Sequence, residues 1–177
     1  MSVRSNKDRI AWGLTGAGHF LPEVTELLKQ TDKVDLFVSG AAHEVLKMYR
    51  LEELLSCGKR VFFEKKASSP AASKVFAGNY RLVVIAPATS NSVAKFVCGI
   101  SDTLVTNLFA QAGKAQVPLL VLPTDVASKM ISRAPGGMVS VYPRQIDLEN
   151  TDRLKSFAGI TVVKNMWELE KCLNTFL

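Results

Sequence analysis

Residues 82–98 read Leu82-Val83-Val84-Ile85-Ala86-Pro87-Ala88-Thr89-Ser90-Asn91-Ser92-Val93-Ala94-Lys95-Phe96-Val97-Cys98, and this stretch decides the fold. Residues 82–85 form a nearly uninterrupted apolar, β-branched run. Such a run suits a strand of a parallel sheet buried on both faces, since a strand with one wet face alternates polar and apolar side chains. Pro87 and Ala88 predict a stiff turn after it, and Thr89 or Ser90 can cap the helix that restarts over residues 90–98. A strand running directly into a helix is one βα unit of an α/β fold.

The same unit recurs on either side. Residues 10–14 are a short apolar run ending in Thr15-Gly16-Ala17-Gly18, followed by Leu21, Val24, Leu27 and Leu28 at helical spacing, with Pro22 tolerated in the first turn. Residues 34–38 read as a second strand stopped by Ser39-Gly40, and 41–48 and 51–57 as helix. Residues 58–71 read as a Ser/Pro-rich loop carrying a short strand at 61–63, and 72–77 as a short helix. A helix over 102–115 leads to a buried strand at 119–122 that ends at Pro123. Pro135, Gly136, Gly137 and Pro143 predict a long loop over 132–144, with a short strand at 139–141 and a mobile tip at Gly136-Gly137. A last strand at 160–163 precedes a helix over 166–176, apolar at Met166, Leu169, Leu173 and Phe176. The alternation predicts an α/β fold, a three-layer, doubly wound, mostly parallel sheet of Rossmann-like type, in one domain over residues 1–177.

Composition narrows the classes. Apolar residues are 47% and charged residues 21% of the 177, an ordinary globular mix. Lys plus Arg (22) less Asp plus Glu (16) leaves +6, which favours an anionic partner; no nucleic-acid or membrane partner is expected. The basic cluster Lys59-Arg60 and Lys65-Lys66 reads as a solvated surface. Cys57, Cys98 and Cys172 are far apart and form no CxxC pair, so no metal site is expected, and reduced thiols point to the cytoplasm. Nothing approaches the roughly 20 apolar residues of a membrane span. Gly13, Thr15, Gly16 and Gly18 interrupt the first apolar run, so no signal peptide is read.

In open parallel sheets ligands sit beyond the carboxyl ends of the strands. Three segments mark those ends: Thr15-Gly16-Ala17-Gly18, Ser39-Gly40-Ala41, and Pro87-Ala88-Thr89-Ser90-Asn91-Ser92. All are rich in glycine and small hydroxyl residues. Glycines in the first turn either let the backbone approach an anion, with Thr15 adding a hydroxyl, or serve turn geometry alone; the residues leave both open. No Gly-Lys-Ser/Thr follows, which excludes a Walker loop. A dinucleotide fingerprint wants a third glycine where Leu21 stands and an acid at the end of the second strand, where Ser39 stands; Asp35 lies inside that strand. A mononucleotide is therefore favoured over NAD or FAD. Asn91 offers a donor and an acceptor to a planar heterocycle. An ordinary helix cap explains one or two of the four polar residues from Thr89 to Ser92.

That last segment resembles the PASANT motif of the homo-oligomeric flavin-containing cysteine decarboxylase superfamily of flavoproteins. The superfamily includes phosphopantothenoylcysteine decarboxylase, lantibiotic peptide decarboxylases, flavin prenyltransferases, and the archaeoflavoprotein and dihydromethanopterin reductase branch. The first loop resembles its phosphate turn, Ser39 its second-strand serine, and Gly99-Ile100-Ser101-Asp102-Thr103-Leu104 its G-x-x-D-x-L helix start. The resemblance covers roughly residues 9–125. It implies FMN, held by Thr15, Gly16, Ala17, Gly18, Ser39, Gly40, Pro87, Ala88, Thr89, Ser90, Asn91, Ser92, Ser101, Asp102, Thr103 and Thr124. It also implies trimers or larger shells with the flavin near a subunit interface.

Departures choose the branch. The cysteine decarboxylases carry a catalytic His upstream of the PASANT-like turn, where Ser73 stands here, and a Pro-x-Met-Asn where this chain reads Pro123-Thr124-Asp125-Val126. The prenyltransferase Arg-Glu is also missing. The segments Ala11-Trp12-Gly13-Leu14-Thr15-Gly16-Ala17-Gly18-His19 and Tyr142-Pro143-Arg144-Gln145-Ile146-Asp147-Leu148 resemble the archaeoflavoprotein and dihydromethanopterin reductase branch most closely. This implies an FMN-dependent oxidoreductase that passes hydride from reduced flavin to the C=N bond of dihydromethanopterin, giving tetrahydromethanopterin, with an external electron donor. The alternatives are a ferredoxin-linked electron-transfer flavoprotein and a flavin-dependent cysteine decarboxylase. Modest charge and several thermolabile residues lean toward a mesophilic source.

Asp125 and His19 are the candidate catalytic residues. Asp125 follows a strand end and either passes a proton to the imine nitrogen or caps a helix over 126–131. His19 either meets flavin phosphate or an acidic substrate or is an ordinary helix-start residue; a helix N-terminus disfavours its charged form. His43, after Ser39-Gly40-Ala41, is a weaker candidate. Asp102 reads as a cap beside the flavin, Arg144 as a partner for the substrate's acidic tail or a neighbouring subunit's flavin phosphate, and Trp12 as core.

Overall fold

The structure is a computed structural model describing residues 8–64, 72–75 and 78–176. Its strands are β1 Arg9–Leu14, β2 Val34–Val38, β3 Arg60–Phe63, β4 Tyr80–Ala88, β5 Leu119–Pro123, β6 Met130–Ala134, β7 Gly137–Val141 and β8 Ile160–Val162. Its helices are α1 Leu21–Gln30, α2 Gly40–Met48, α3 Ser90–Cys98, α4 Leu104–Lys114, α5 Gln145–Lys155 and α6 Met166–Asn174, with 3-10 turns at Glu52–Ser56 and Ala72–Val75. Six strands make one sheet in the order β3-β2-β1-β4-β5-β8, every neighbouring pair parallel. The chain turns from one half of the sheet to the other between β1 and β4. That is the switch point where a crevice opens at the carboxyl edge.

Alternation along the strands builds two cores. Ile10, Trp12 and Leu14 face Leu21, Val24 and Leu28 of α1, Leu46 of α2 and Leu169 of α6. Ala11, Val83 and Ile85 face Phe96 of α3 and Val105 and Leu108 of α4. Each such large side chain, fully buried, stabilises by about 1.5–3 kcal/mol. The expected three layers are present. Trp12 is core as expected, and its indole N–H donates to the Ala86 carbonyl at 2.7 Å. Gly13 lets α4 close on β1: a β-carbon there would lie 3.1 Å from Val105 Cγ1.

Several boundaries differ from the sequence reading. Pro87 and Ala88 do not turn; they continue β4 after a cis Ala86–Pro87 bond, because Ala88 still pairs with Pro123 of β5 and accepts the Thr124 N–H at 2.9 Å. Residues 52–56 wind as a 3-10 turn rather than an α-helix. α4 starts at Leu104, not at residue 102, because Thr103 and Thr106 cap each other reciprocally. The segment 126–131 forms no helix. Residues 130–141 are an antiparallel hairpin, β6 on β7, closed by Pro135-Gly136. The sequence reading passed over α5, whose buried residues are Asp147, Thr151 and Leu154, so no apolar period marks it. The expected helix at residues 76 and 77 and most of the Ser/Pro-rich loop, 65–71, lie outside the described residues.

Candidate functional site

The carboxyl ends of β1, β2 and β4 meet as anticipated. Ser39 N–H donates to Leu14 O at 3.1 Å, bringing the β2 turn to the end of β1. Thr15 Oγ1 donates to Pro87 O at 2.8 Å and accepts the Thr89 N–H at 2.9 Å, tying the end of β1 to the end of β4. Both capacities of the hydroxyl are thus used inside the protein. Thr15 is 3% exposed and has no proton left for a ligand. It aligns two of the three turns rather than holding phosphate by its side chain.

The glycines are demanded by side-chain packing. A β-carbon on Gly16 would lie 2.6 Å from Ala41 Cβ, and one on Gly18 2.0 Å from Tyr49 Oη. Neither distance is tolerable, so α2 sits directly against this turn. The amides of Gly16, Gly18 and His19 have no hydrogen-bond partner among the described residues. At α3, Thr89 Oγ1 caps the Ser92 N–H at 3.2 Å, leaving the first-turn amides of Ser90 and Asn91 open. The glycine turn before α1 and the first turn of α3 therefore both leave free N–H groups at the switch point, an arrangement suited to anionic oxygen.

A cavity of about 280 Å³ lies there, lined by Ala17, Gly18, His19, Thr89, Ser90, Thr124 and Asp125 among the predicted residues. Burial pushes the Asp125 carboxyl up; the hydrogen bond from Ser90 opposes this and the nearby charge of Asp147 adds to it. Burial pushes His19 down, against the attraction of Glu23 and Asp125, so its imidazole is neutral near pH 7. A carboxyl that gives up its proton less readily than usual, beside a neutral imidazole, is suited to proton transfer without adding fixed positive charge. Asp125 caps no helix: the chain runs on into the β6–β7 hairpin, and Thr151 Oγ1 holds the Asp125 carbonyl at 3.1 Å. A larger cavity, about 550 Å³ between β4, β5, β8 and α6, is mainly apolar, with Thr161, Glu168, Lys171 and Thr175 as its polar lining, and none of the three turns reaches it. The smaller one is the candidate on chemical grounds.

Other predicted residues lie apart from this cavity. Ser39 caps α2 by accepting the Ala42 N–H. The Gly40 N–H is taken by Glu64 Oε2 at 2.8 Å, while Glu64 Oε1 takes the Leu104 N–H at 2.7 Å, so one carboxylate joins the starts of α2 and α4. Asp102 is not the helix cap expected; both its oxygens bind Lys95 Nζ at 2.8 Å, and Thr103 caps α4. Ser101 lines a separate cavity between α3 and α4. Asn91 is exposed beside the cavity mouth, and Ser92 is engaged with Thr89. His43 packs on Phe63. Arg144 caps α5, its guanidinium spanning both oxygens of Asp147 at 2.7 and 2.9 Å, which leaves little for a substrate tail.

The sequence reading missed Tyr49 and the hairpin residues Met130, Ser132, Val139 and Val141, which close the far wall. The hairpin left one signal: Pro135-Gly136-Gly137 are turn residues between two short runs that carry Met130, Ile131, Met138, Val139 and Val141. Tyr49 carries no such signal.

The Flavoprotein family model matches residues 1–174. The chain is similar to the dihydromethanopterin reductase (acceptor) of Methanosarcina mazei, 42% identical, with 89% of this chain and 95% of that relative covered. It is similar to the structure of Burkholderia xenovorans DmrB in complex with FMN, described as a cubic protein cage for redox transfer. That likeness has 41% identity and a TM-score of 0.87, covering 96% of this chain and 94% of the other. The FMN-dependent cysteine decarboxylase SpaF shares the fold, at 21% identity and a TM-score of 0.61 over 90% of this chain and 85% of that one.

Proposed function

Because the chain belongs to the flavoprotein family, we propose that it is an FMN-dependent reductase acting on the C=N bond of a pterin, dihydromethanopterin. The observation that carries this reading is the junction at the end of β1. The β1 and β4 turns, tied together by Thr15, open there on a cavity holding Asp125 and His19, and the β2 turn joins the same edge through the Ser39 N–H on Leu14 O.

The residues present fit FMN. Open amides at Gly16, Gly18 and His19, and at Ser90 and Asn91, are the donors that a phosphate and flavin ring carbonyls require. Ser39 ends β2 where a dinucleotide site would carry an acid, and the nearby Glu64 carboxylate is spent on the Gly40 and Leu104 N–H groups. When bound, FMN supplies hydride chemistry, and the protein supplies position and electrostatics.

The chain's own contribution is a proton and a partly apolar wall. Partial burial raises the Asp125 carboxyl above its ordinary value, and Ser90 is the hydrogen-bond partner that opposes the shift. It is the group suited to protonate a pterin nitrogen. His19, neutral, keeps a competing positive charge out of the cavity. Met130, Val139 and Val141 of the hairpin add apolar surface opposite the turns.

The protein is a homo-oligomer in this reading, as the Burkholderia cage is. Ile131, Met138 and Tyr142, each at least 61% exposed, mark the hairpin as surface for a second copy. No helix among the described residues is long and apolar enough to cross a membrane. We place the protein in the cytoplasm, where an external donor reduces it.

The test is direct. The purified protein carries FMN, identified by spectrum and by the mass of the released cofactor, and after chemical reduction it converts dihydromethanopterin to tetrahydromethanopterin. Bound FAD, or no turnover with any dihydropterin, overturns the reading.

A further inference from the structure

A second hollow of about 510 Å³ adjoins the candidate site. The two share Tyr49 and Ala134, which stand between them as a common wall. The second hollow lies between the end of α2 and the hairpin and is lined by the cations Arg50 and Arg133, with no acidic residue among its lining. Both arginines are exposed, and neither guanidinium has a hydrogen bond or ion pair among the described residues. Arg9, Arg60 and Arg144, by contrast, are each committed to an aspartate.

The framework around the two arginines is fixed. Arg50 follows α2 in the left-handed region at φ 56°, where the Leu51 N–H closes the helix end on Leu46 O at 2.9 Å. Arg133 is held through its main chain, whose carbonyl accepts the Tyr49 hydroxyl at 2.9 Å. The backbone is thus anchored on both sides of the hollow while the charged ends are left unpaired. Paired guanidiniums match carboxylate and phosphate oxygens in bidentate fashion.

We propose that this hollow is a subsite for the anionic side chain of the substrate, gripped by Arg50 and Arg133 while the ring to be reduced occupies the adjoining cavity beyond Tyr49. The inference rests on the reductase reading and extends it by naming what selects an acidic pterin over a bare one. Binding there is chiefly electrostatic and weakens with salt.

The experiment uses the flavin-loaded protein and the variants Arg50→Met, Arg133→Met and the double variant. With dihydromethanopterin, each single variant raises KM about tenfold, the loss of one charge-assisted contact, and leaves kcat unchanged. With neutral 6-methyl-7,8-dihydropterin, kcat/KM is the same in all four proteins. An unchanged KM for dihydromethanopterin, or an equal loss with the neutral pterin, overturns the proposal. FMN and riboflavin affinities are measured in parallel. Their ratio stays constant if the arginines hold substrate, and its collapse in the variants reassigns them to the flavin phosphate and overturns the proposal. If the wild type reduces neither pterin, the reductase reading has failed, and titration with glutarate and inorganic phosphate judges the subsite alone. Saturable binding lost in the double variant sustains an anion subsite, and its absence in the wild type ends it.

Discussion

Tyr49 places its hydroxyl where a side chain on Gly18 would begin: a β-carbon there would lie 2.0 Å from Oη and 2.6 Å from Cζ. The glycine of the first turn therefore answers to an aromatic ring at the end of α2, and that ring in turn carries the hairpin through Arg133 O. The turn, the helix end and strand β6 form one mechanical unit.

Gly18→Ala tests that unit. Gly18 has no left-handed backbone to protect, so the cost comes from overpacking against Tyr49, about 1–3 kcal/mol. Urea unfolding of Gly18→Ala, Tyr49→Ala and the double variant checks it. The double variant is expected to lose no more than Tyr49→Ala alone, because the shared contact makes the changes non-additive.

Tyr49→Phe removes only the hydrogen bond to Arg133 O. The expected loss is about 0.5–1.5 kcal/mol, with faster hydrogen exchange at β6 and β7 and unchanged exchange in β1 and β4. Uniform acceleration across the sheet would place the role of Tyr49 in global stability instead.

Asp125→Asn separates chemistry from folding. Burial holds the wild-type carboxyl above its ordinary value of 3.8, so its acid form, and any rate that needs it, decline as pH rises through the raised value. The variant is expected to lose about 10²–10⁴ in kcat and that pH limb together, with FMN affinity intact. Stability moves the other way. A raised carboxyl pKa contributes stability at low pH that is lost as pH rises, so the variant is as stable as the wild type or more so near pH 7. Pre-steady-state pterin reduction and thermal melts across pH read the two effects.

Asp35 lies at the opposite edge of the sheet. It is fully buried and accepts from Arg60 Nε at 2.8 Å, from Tyr80 Oη at 2.7 Å and from Arg9 Nε at 2.9 Å. Burial alone would push its carboxyl up, but Arg60, Arg9 and Tyr80 together hold it below 3.8. This stability is fully present above pH 3.8 and is lost as pH falls through the lower native value. Asp35→Asn is expected to cost about 3 kcal/mol, the low end for breaking a buried pair because Arg60 is half exposed. Urea titrations at pH 7 and in the acid limb check both size and sign, and kinetic constants of the reductase are expected to be unaffected.

How much was legible can be read from particular residues. The run from Leu82 to Ile85, the period of Leu21, Val24 and Leu28, and the glycine-and-hydroxyl turns after β1, β2 and β4 are local patterns. They set secondary structure, layer order and the ligand-bearing edge without reference to anything distant. α5 escaped because its buried face is polar and its stability comes from packing on α3 and from the Arg144–Asp147 cap. Asp125 stayed ambiguous because a strand-end aspartate before a short apolar run is locally the same whether a helix or a hairpin follows.

The amino-acid sequence alone determined a doubly wound parallel sheet and a mononucleotide-type edge, because strand burial, helix period and turn chemistry act between near neighbours in the chain, and the flavin came from the resemblance of the turns to a known family. Only the tertiary structure decided what those groups do. Thr15 spends its hydroxyl on Pro87 and Thr89, Gly18 yields to Tyr49, Glu64 joins two helix starts, and Arg50 and Arg133 line one hollow. Each of those pairings joins residues far apart in the chain, and free donors, steric limits and unpaired charges exist only once the fold has brought both partners together.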